Sequence, residues 1–221
     1  MVVAIDGPAG VGKSTISREV AKAAGFHYLN SGSFYRAITW LVIHGGGSPE
    51  DRSRIIETAR SCRLEYKNGG IWANGRDIEP EIHSDAVDRW VAQHSVFPEV
   101  RDVVNRELKR TADGKDIVVE GRDIQTVVFP NAEVKVFLDA DVKTRALRRY
   151  RQGVSGLTLE EIEGAIAKRD GVERTKTVGR LQAAEDAIII DTSHLTIPEV
   201  CERVVQAILL RKNNLGDIRR V

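Results

Sequence analysis

Residues Gly7-Pro8-Ala9-Gly10-Val11-Gly12-Lys13-Ser14-Thr15 fit the spacing G-x-x-x-x-G-K-[ST]. The apolar run Val2-Val3-Ala4-Ile5 leads into them, and a helical pattern starts at Lys13. This is the strand–loop–helix setting the motif requires, and it commits the chain to an α/β fold. The glycines let the backbone wrap closely round phosphates. Successive N–H groups then point inward at the positive end of a helix dipole. Lys13 is expected to reach the β- and γ-phosphates, and Ser14 to offer its hydroxyl to Mg²⁺. A nucleoside triphosphate with Mg²⁺ is therefore the expected ligand, held by residues 7 to 15.

Four more short apolar runs, Phe26–Leu29, Asp116–Val119, Val134–Leu138 and Ala187–Ile190, read with Val2–Ile5 as five strands. They lack polar alternation, as parallel strands covered on both faces do. Helical patterns lie between them: Lys13–Ala24, stopped by Gly25, and Phe34–His44. Val142–Tyr150 follows a candidate cap, Asp141, and Leu159–Lys168 follows a Thr158/Glu161 capping box. A last helix starts at Thr196 with Pro198 in its first turn. Alternating strands and helices argue for a parallel sheet with right-handed crossovers.

Residues 63–78 break this rhythm. Leu64-Glu65-Tyr66-Lys67, Asn68-Gly69-Gly70, Ile71-Trp72-Ala73 and Asn74-Gly75 read as an antiparallel meander with tight turns. A helical stretch at Asp85–Gln93 follows. The segment 63–93 reads either as a substrate-side subdomain or as a decorative insertion.

The 221 residues carry a formal net charge of +1, which excludes a generally basic nucleic-acid or membrane surface. The basic end at Arg211-Lys212 and Arg219-Arg220 reads as a solvated tail. The two cysteines, Cys62 and Cys201, lack metal-ligand spacing and fit a reduced, cytoplasmic setting. No apolar run approaches a membrane span.

Phosphoryl transfer needs positioned cations and an acid that organises Mg²⁺. Such groups stand near the ends of the expected strands, where open α/β sheets place ligands. Ser31, Tyr35 and Arg36 follow the second strand, and Arg36 has the fork to clamp a phosphate. Glu120-Gly121-Arg122-Asp123 follows the third; Glu120 stands where an acid holds Mg²⁺, here through water. Arg145, Arg148, Arg149 and Arg151 lead into a short loop and read as a lid or as a solvated helix face. Arg169-Asp170 and Glu173-Arg174-Thr175-Lys176 form a further charged cluster.

These blocks, with Phe97-Pro98-Glu99-Val100-Arg101, Thr126-Val127-Val128-Phe129-Pro130 and Phe137-Leu138-Asp139-Ala140, resemble the bacterial cytidylate kinase family over nearly the whole chain. The resemblance implies a P-loop kinase core: a five-stranded parallel sheet flanked by helices, with residues 63–93 as a small antiparallel monophosphate-binding insert and 150–156 as a lid. It implies transfer of the γ-phosphate of ATP to CMP or dCMP by a cytoplasmic monomer. By the same resemblance Arg145 lies against the adenine, and Lys13, Arg122, Arg149 and Arg169 serve the transferring phosphates. Ser31, Tyr35, Arg36, Arg101, Arg122, Asp123, Arg169 and Glu173 hold CMP, with Arg101 and Asp123 on the base, Arg122 on the phosphate and Glu173 on the sugar. The chain departs from the family pattern at Asn30, where an acid is common, at Ala92, where a serine that contacts the base is common, at Gln125, which replaces a glycine, at Glu173, which replaces an Asp, and at Lys176, where an arginine is common. These changes bear on base and sugar preference on the acceptor side.

Two other readings compete. One is a P-loop kinase for a different nucleoside monophosphate or small acceptor. The other is a nucleotide switch acting on a partner protein, although no N-K-x-D guanine signature is present.

Overall fold

A computed structural model describes residues 1–151, 153 and 156–218, with side chains described as far as residue 213. Gln152, Val154 and Ser155 of the expected lid, and Arg219-Arg220 of the basic end, lie outside the described residues. The chain divides into two compact units, residues 1–28 with 115–221, and residues 29–114.

The strands of the main sheet are β1 (Val2–Asp6), β2 (His27–Asn30), β6 (Ile117–Gly121), β7 (Val134–Asp139) and β8 (Ile188–Asp191). They lie in the order β2-β6-β1-β7-β8. β1 runs parallel to β6 and β7, and β7 runs parallel to β8. Four strands end one residue later than their apolar runs and β6 ends two later, because the ladder continues through polar Asp6, Asn30, Asp139 and Asp191 and the pair Glu120-Gly121.

Among the described residues the first unit carries four α-helices: α1 (Lys13–Ala24), α6 (Val142–Arg151), α7 (Leu159–Thr175) and α8 (Ile197–Ile218). Val20, Ile16 and Ala21 of α1 and Val200, Val204 and Ile208 of α8 bury against Val3, Ile5, Val136, Leu138 and Ile190. The Thr158/Glu161 capping box forms. α7 nevertheless runs seven residues beyond the expected Lys168, since neither Gly164 nor Gly171 breaks it. Behind β8 the expectation of burial on both faces fails. β8 is an edge strand, and Ile188 and Ile189 are 45% and 67% exposed.

The second unit is built round α2 (Ser31–His44), whose N-cap Asn30 accepts a hydrogen bond from the Gly32 amide at 2.8 Å. Two of its helices, α3 (Arg52–Ser61) and α5 (Pro98–Ala112), have no counterpart among the sequence-based expectations. α3 buries only Ile55 and Ala59, too few apolar residues for a visible stripe. α5 has Pro98 at its start and an apolar face of Val100, Val103, Val104 and Leu108, a signal that was present in the sequence. The antiparallel meander is β3 (Leu64–Lys67), β4 (Gly70–Ala73) and β5 (Arg76–Asp77), followed by α4 (Asp85–His94). Both of its turns are Asn-Gly pairs with positive φ, 54° and 78° at Asn68-Gly69 and 51° and 84° at Asn74-Gly75. That geometry matches the twist of a tight hairpin. Residues 63–93 fall wholly within this unit.

Candidate active site

The first unit gathers its charged residues at the C-terminal ends of β1, β6 and β7. Gly7 leaves β1 so close to β7 that a Cβ there would lie 2.2 Å from the Leu138 carbonyl oxygen. Only glycine fits. The loop closes on Lys13, whose Nζ donates to the Pro8 carbonyl at 2.7 Å. Lys13 is buried, and burial followed by the nearby Arg122 charge pulls its pKa well below the usual lysine range. Glu120, Glu173 and Asp6 act in the opposite sense. Ser14 and Thr15 are exposed at the start of α1.

Asp6, the last residue of β1, is a fully buried carboxylate. Its two oxygens accept from the amides of Ile124 at 3.1 Å and Gln125 at 2.9 Å. It thereby pins a single π turn, Ile124–Val128, that follows the Gly-Arg-Asp block. Burial raises its pKa to about 6, and the Asp123 charge adds to this, while the two backbone bonds pull the other way. Asp123 is itself buried and stands at the head of that turn. Gln125, where the resemblance expects glycine, is a buried strut. Its Nε2 donates to the Val136 carbonyl at 3.5 Å, and its Oε1 accepts from the Ala184 amide at 3.1 Å.

Glu120 is buried at the end of β6 and accepts a short hydrogen bond from the Tyr28 hydroxyl. Beyond it, Arg122 Nε donates to Glu173 Oε2 at 2.8 Å, and Arg169 Nε donates to Glu173 Oε1 at 3.0 Å. Burial works to raise the Glu173 pKa, but the Arg122 and Arg169 charges outweigh it and hold the carboxyl below its ordinary value.

Arg145 is 2% exposed beneath the loop. Its Nε donates to the Ala140 carbonyl at 2.9 Å and its Nη1 to the Ala9 carbonyl at 3.2 Å. Both Nη nitrogens meet the Asp170 carboxylate, Nη1 at 3.1 Å and Nη2 more closely. The edges of its guanidinium are thus occupied by protein. Arg149 is exposed on α6 and forms no ion pair among the described residues. Its neighbour Arg148 instead holds Thr192, donating to the carbonyl at 2.6 Å and the hydroxyl at 3.0 Å.

The second unit carries the other residues singled out. Ser31 is buried in the first turn of α2. Arg101, 5% exposed on α5, lies 5.6 Å from the Tyr35 ring centroid and donates to the Ser95 carbonyl at 3.3 Å. Arg36 donates to the Ile82 carbonyl at 3.0 Å and to Asp88 at 2.5 Å. Ala92 is exposed on α4, and its carbonyl accepts from the Ser95 hydroxyl at 2.8 Å.

No sequence motif assigns the pairing roles of Asp6, Tyr28, Asp88 and Asp170. For Asp6 there was a signal, an acid at the end of a fully apolar strand directly before the loop. Tyr28, Asp88 and Asp170 meet partners between 25 and 92 residues away, with no local pattern to mark them.

A glycine-rich phosphate loop at a strand end, a buried lysine and arginines at neighbouring strand ends define a P-loop kinase. The chain matches the cytidylate kinase family model over residues 3–210 and belongs to that family. It is 42% identical over 219 residues to a cytidylate kinase of Caldanaerobacter subterraneus subsp. tengcongensis, covering 98% of this chain and 97% of that one. It is 37% identical to a cytidylate kinase of Borrelia hermsii, covering 96% and 100% respectively. A structural likeness to an uncharacterized protein of Eubacterium ventriosum, with a TM-score of 0.51, 10% identity and coverage of 93% and 96%, concerns the fold alone. The chain is an ATP-using phosphotransferase of this family.

Proposed function

We propose that residues 7–15 and Arg145 hold ATP, while Ser31, Tyr35, Arg36, Arg101, Arg122, Asp123, Arg169 and Glu173 serve the acceptor nucleotide. The reaction moves the γ-phosphoryl group of ATP to CMP or dCMP and releases ADP and CDP or dCDP. A phosphate oxygen of the acceptor attacks the γ-phosphorus in line as the bond to the β–γ bridging oxygen breaks. No general base is needed, because that oxygen is already anionic at neutral pH. Catalysis is therefore a matter of placing reactants and of stabilising charge on the transferring group.

The observation that carries this reading is the cationic cluster beside the loop. Lys13 feels the fields of Arg122 and Glu173, and Arg122 shares Glu173 with Arg169. Lys13 now donates to the loop's own Pro8 carbonyl. A triphosphate offers it a charged acceptor instead, which is the stronger partner. Arg36 and Arg101 take the phosphate and base of the acceptor, and Asp123 contributes to base choice. Arg149 completes the cation set from the lid side.

The donor set for a divalent ion is hard oxygen, the Ser14 hydroxyl and the Glu120 carboxylate. These fit Mg²⁺, which keeps several waters and is carried largely by substrate phosphates. Among the described residues no cluster of three protein ligands forms a separate metal cage. Ser14 would hold a Mg²⁺ ion that arrives with ATP, with Glu120 acting through water, and the ion would supply positive charge to offset that of the phosphates.

In domain terms we read one P-loop kinase domain over residues 1–221, with 63–93 as its monophosphate-binding part and 150–156 as its lid. The enzyme is proposed to be a cytoplasmic monomer that does not act on nucleic acid; sedimentation at micromolar concentration checks the first point. No helix among the described residues is long and apolar enough to cross a membrane. The decisive assay couples ADP release to a panel of nucleoside monophosphates. Turnover with CMP and dCMP is expected; turnover of AMP or shikimate without CMP overturns the proposal.

A further inference from the structure

Glu173 is a carboxylate placed among groups expected to bind anions. Its side chain is 12% exposed, and each of its oxygens takes one arginine through Nε, Arg122 at 2.8 Å and Arg169 at 3.0 Å. Holding a guanidinium by Nε fixes its plane while leaving the Nη fork turned elsewhere. Arg122 also donates from Nη1 to the Gly121 carbonyl at 3.4 Å. The Nη nitrogens of Arg169, whose side chain is half exposed, have no partner among the described residues. Without Glu173 two like charges would face each other in a partly buried place, close to a third on Lys13. With it, the trio of side chains carries a net charge of +1.

We infer that Glu173 is a positioning residue: it presets the Arg122 and Arg169 guanidiniums for the acceptor phosphate before substrate arrives. This rests on the proposal above that both arginines serve that phosphate. It differs from the sugar contact that the resemblance implies for this position. A sugar contact acts on binding of the acceptor's hydroxyls, whereas a positioning role acts on the transition state through the arginines.

The test is steady-state kinetics of Glu173→Gln with CMP and with 2′,3′-dideoxy-CMP. Loss of orientation is expected to lower kcat by about 10- to 100-fold with both acceptors. KM for either acceptor should change by less than about threefold. In an Arg122→Ala/Arg169→Ala background the same substitution should cost nothing further. A loss seen with CMP but absent with the dideoxy nucleotide overturns the inference in favour of a sugar contact. So does a loss that persists undiminished without the arginines. If Glu173→Gln lowers the melting midpoint, Glu173→Asp decides, since it keeps the charge but has one methylene less to span both Nε groups; normal kcat there overturns the inference. Arg122→Ala with unchanged kcat and KM would instead mean that the underlying phosphate assignment fails. Impaired Arg122→Ala beside a normal Glu173→Gln rejects the positioning role alone.

Discussion

Two arginines, one from each unit, are held in different ways. In residues 1–28 and 115–221, Arg145 is 2% exposed and shares a bidentate contact with buried Asp170. In residues 29–114, the Arg36 side chain is 23% exposed and its partner Asp88 is 48% exposed. The first arrangement fixes a guanidinium whether or not nucleotide is present. The second is a solvent-screened pair that a stronger anion can displace at little cost. Arg145 is thus organised in advance, and Arg36 stays available for exchange.

The largest effect is expected at the loop. Lys13→Ala should lower kcat by on the order of 10³-fold, the scale for removing a donor that meets developing charge. Burial already works against the Lys13 charge, so the melting midpoint should hold; near-normal turnover would remove Lys13 from the chemistry. The contrast between the two arginine pairs can be broken directly. Asp170→Asn leaves a buried charge unpaired and should cost about 3–5 kcal/mol in urea denaturation. Asp88→Asn should cost about 0–1 kcal/mol. Equal costs would erase the difference between the two pairs.

Gln125→Gly, which restores the residue expected from the family pattern, removes a buried strut and leaves the Ala184 amide without its acceptor. We expect a loss of about 1–3 kcal/mol in stability. The ratio of CMP to dCMP turnover should not move; a shift would return Gln125 to specificity.

The smallest effect is a pH dependence in the second unit. His94 is fully buried, with Nε2 2.9 Å from the Pro49 carbonyl and Nδ1 3.1 Å from the Thr39 hydroxyl. The carbonyl only accepts, so Nε2 carries the proton and Nδ1 accepts from Thr39, a neutral ring. Burial pulls its pKa below the ordinary 6.5, against the Pro49 bond, which raises it. The unfolded chain therefore takes up a proton first as pH falls below 6.5, and this stability is present above that pH and lost beneath it. Hydrogen exchange in residues 29–114 should show weaker protection at pH 5.5 than at pH 7.5. In His94→Gln that difference should shrink.

Much of this was legible beforehand. The phosphate loop, the five strands to within two residues and the Asn-Gly meander all follow from local spacing, because each depends on contacts between near neighbours in the chain. Helix α3 was not legible, having only two buried residues, and the exposure of β8 was not, since an apolar run looks alike at the centre and the edge of a sheet. The departures from the family pattern were visible as letters but not as physics. Gln125 reads as a change near the acceptor and is a buried brace. Asn30 reads as a lost acid and is a helix cap.

The order of residues by itself determined that this chain builds a phosphate loop between a strand and a helix, and which cations stand near the strand ends. Only the tertiary structure decided which carboxylate each cation meets. Arg145 finds Asp170 across 25 residues and Arg122 finds Glu173 across 51. Those partners are selected by the packing of α6 and α7 and by the π turn that Asp6 holds in place, and no local periodicity encodes such distances.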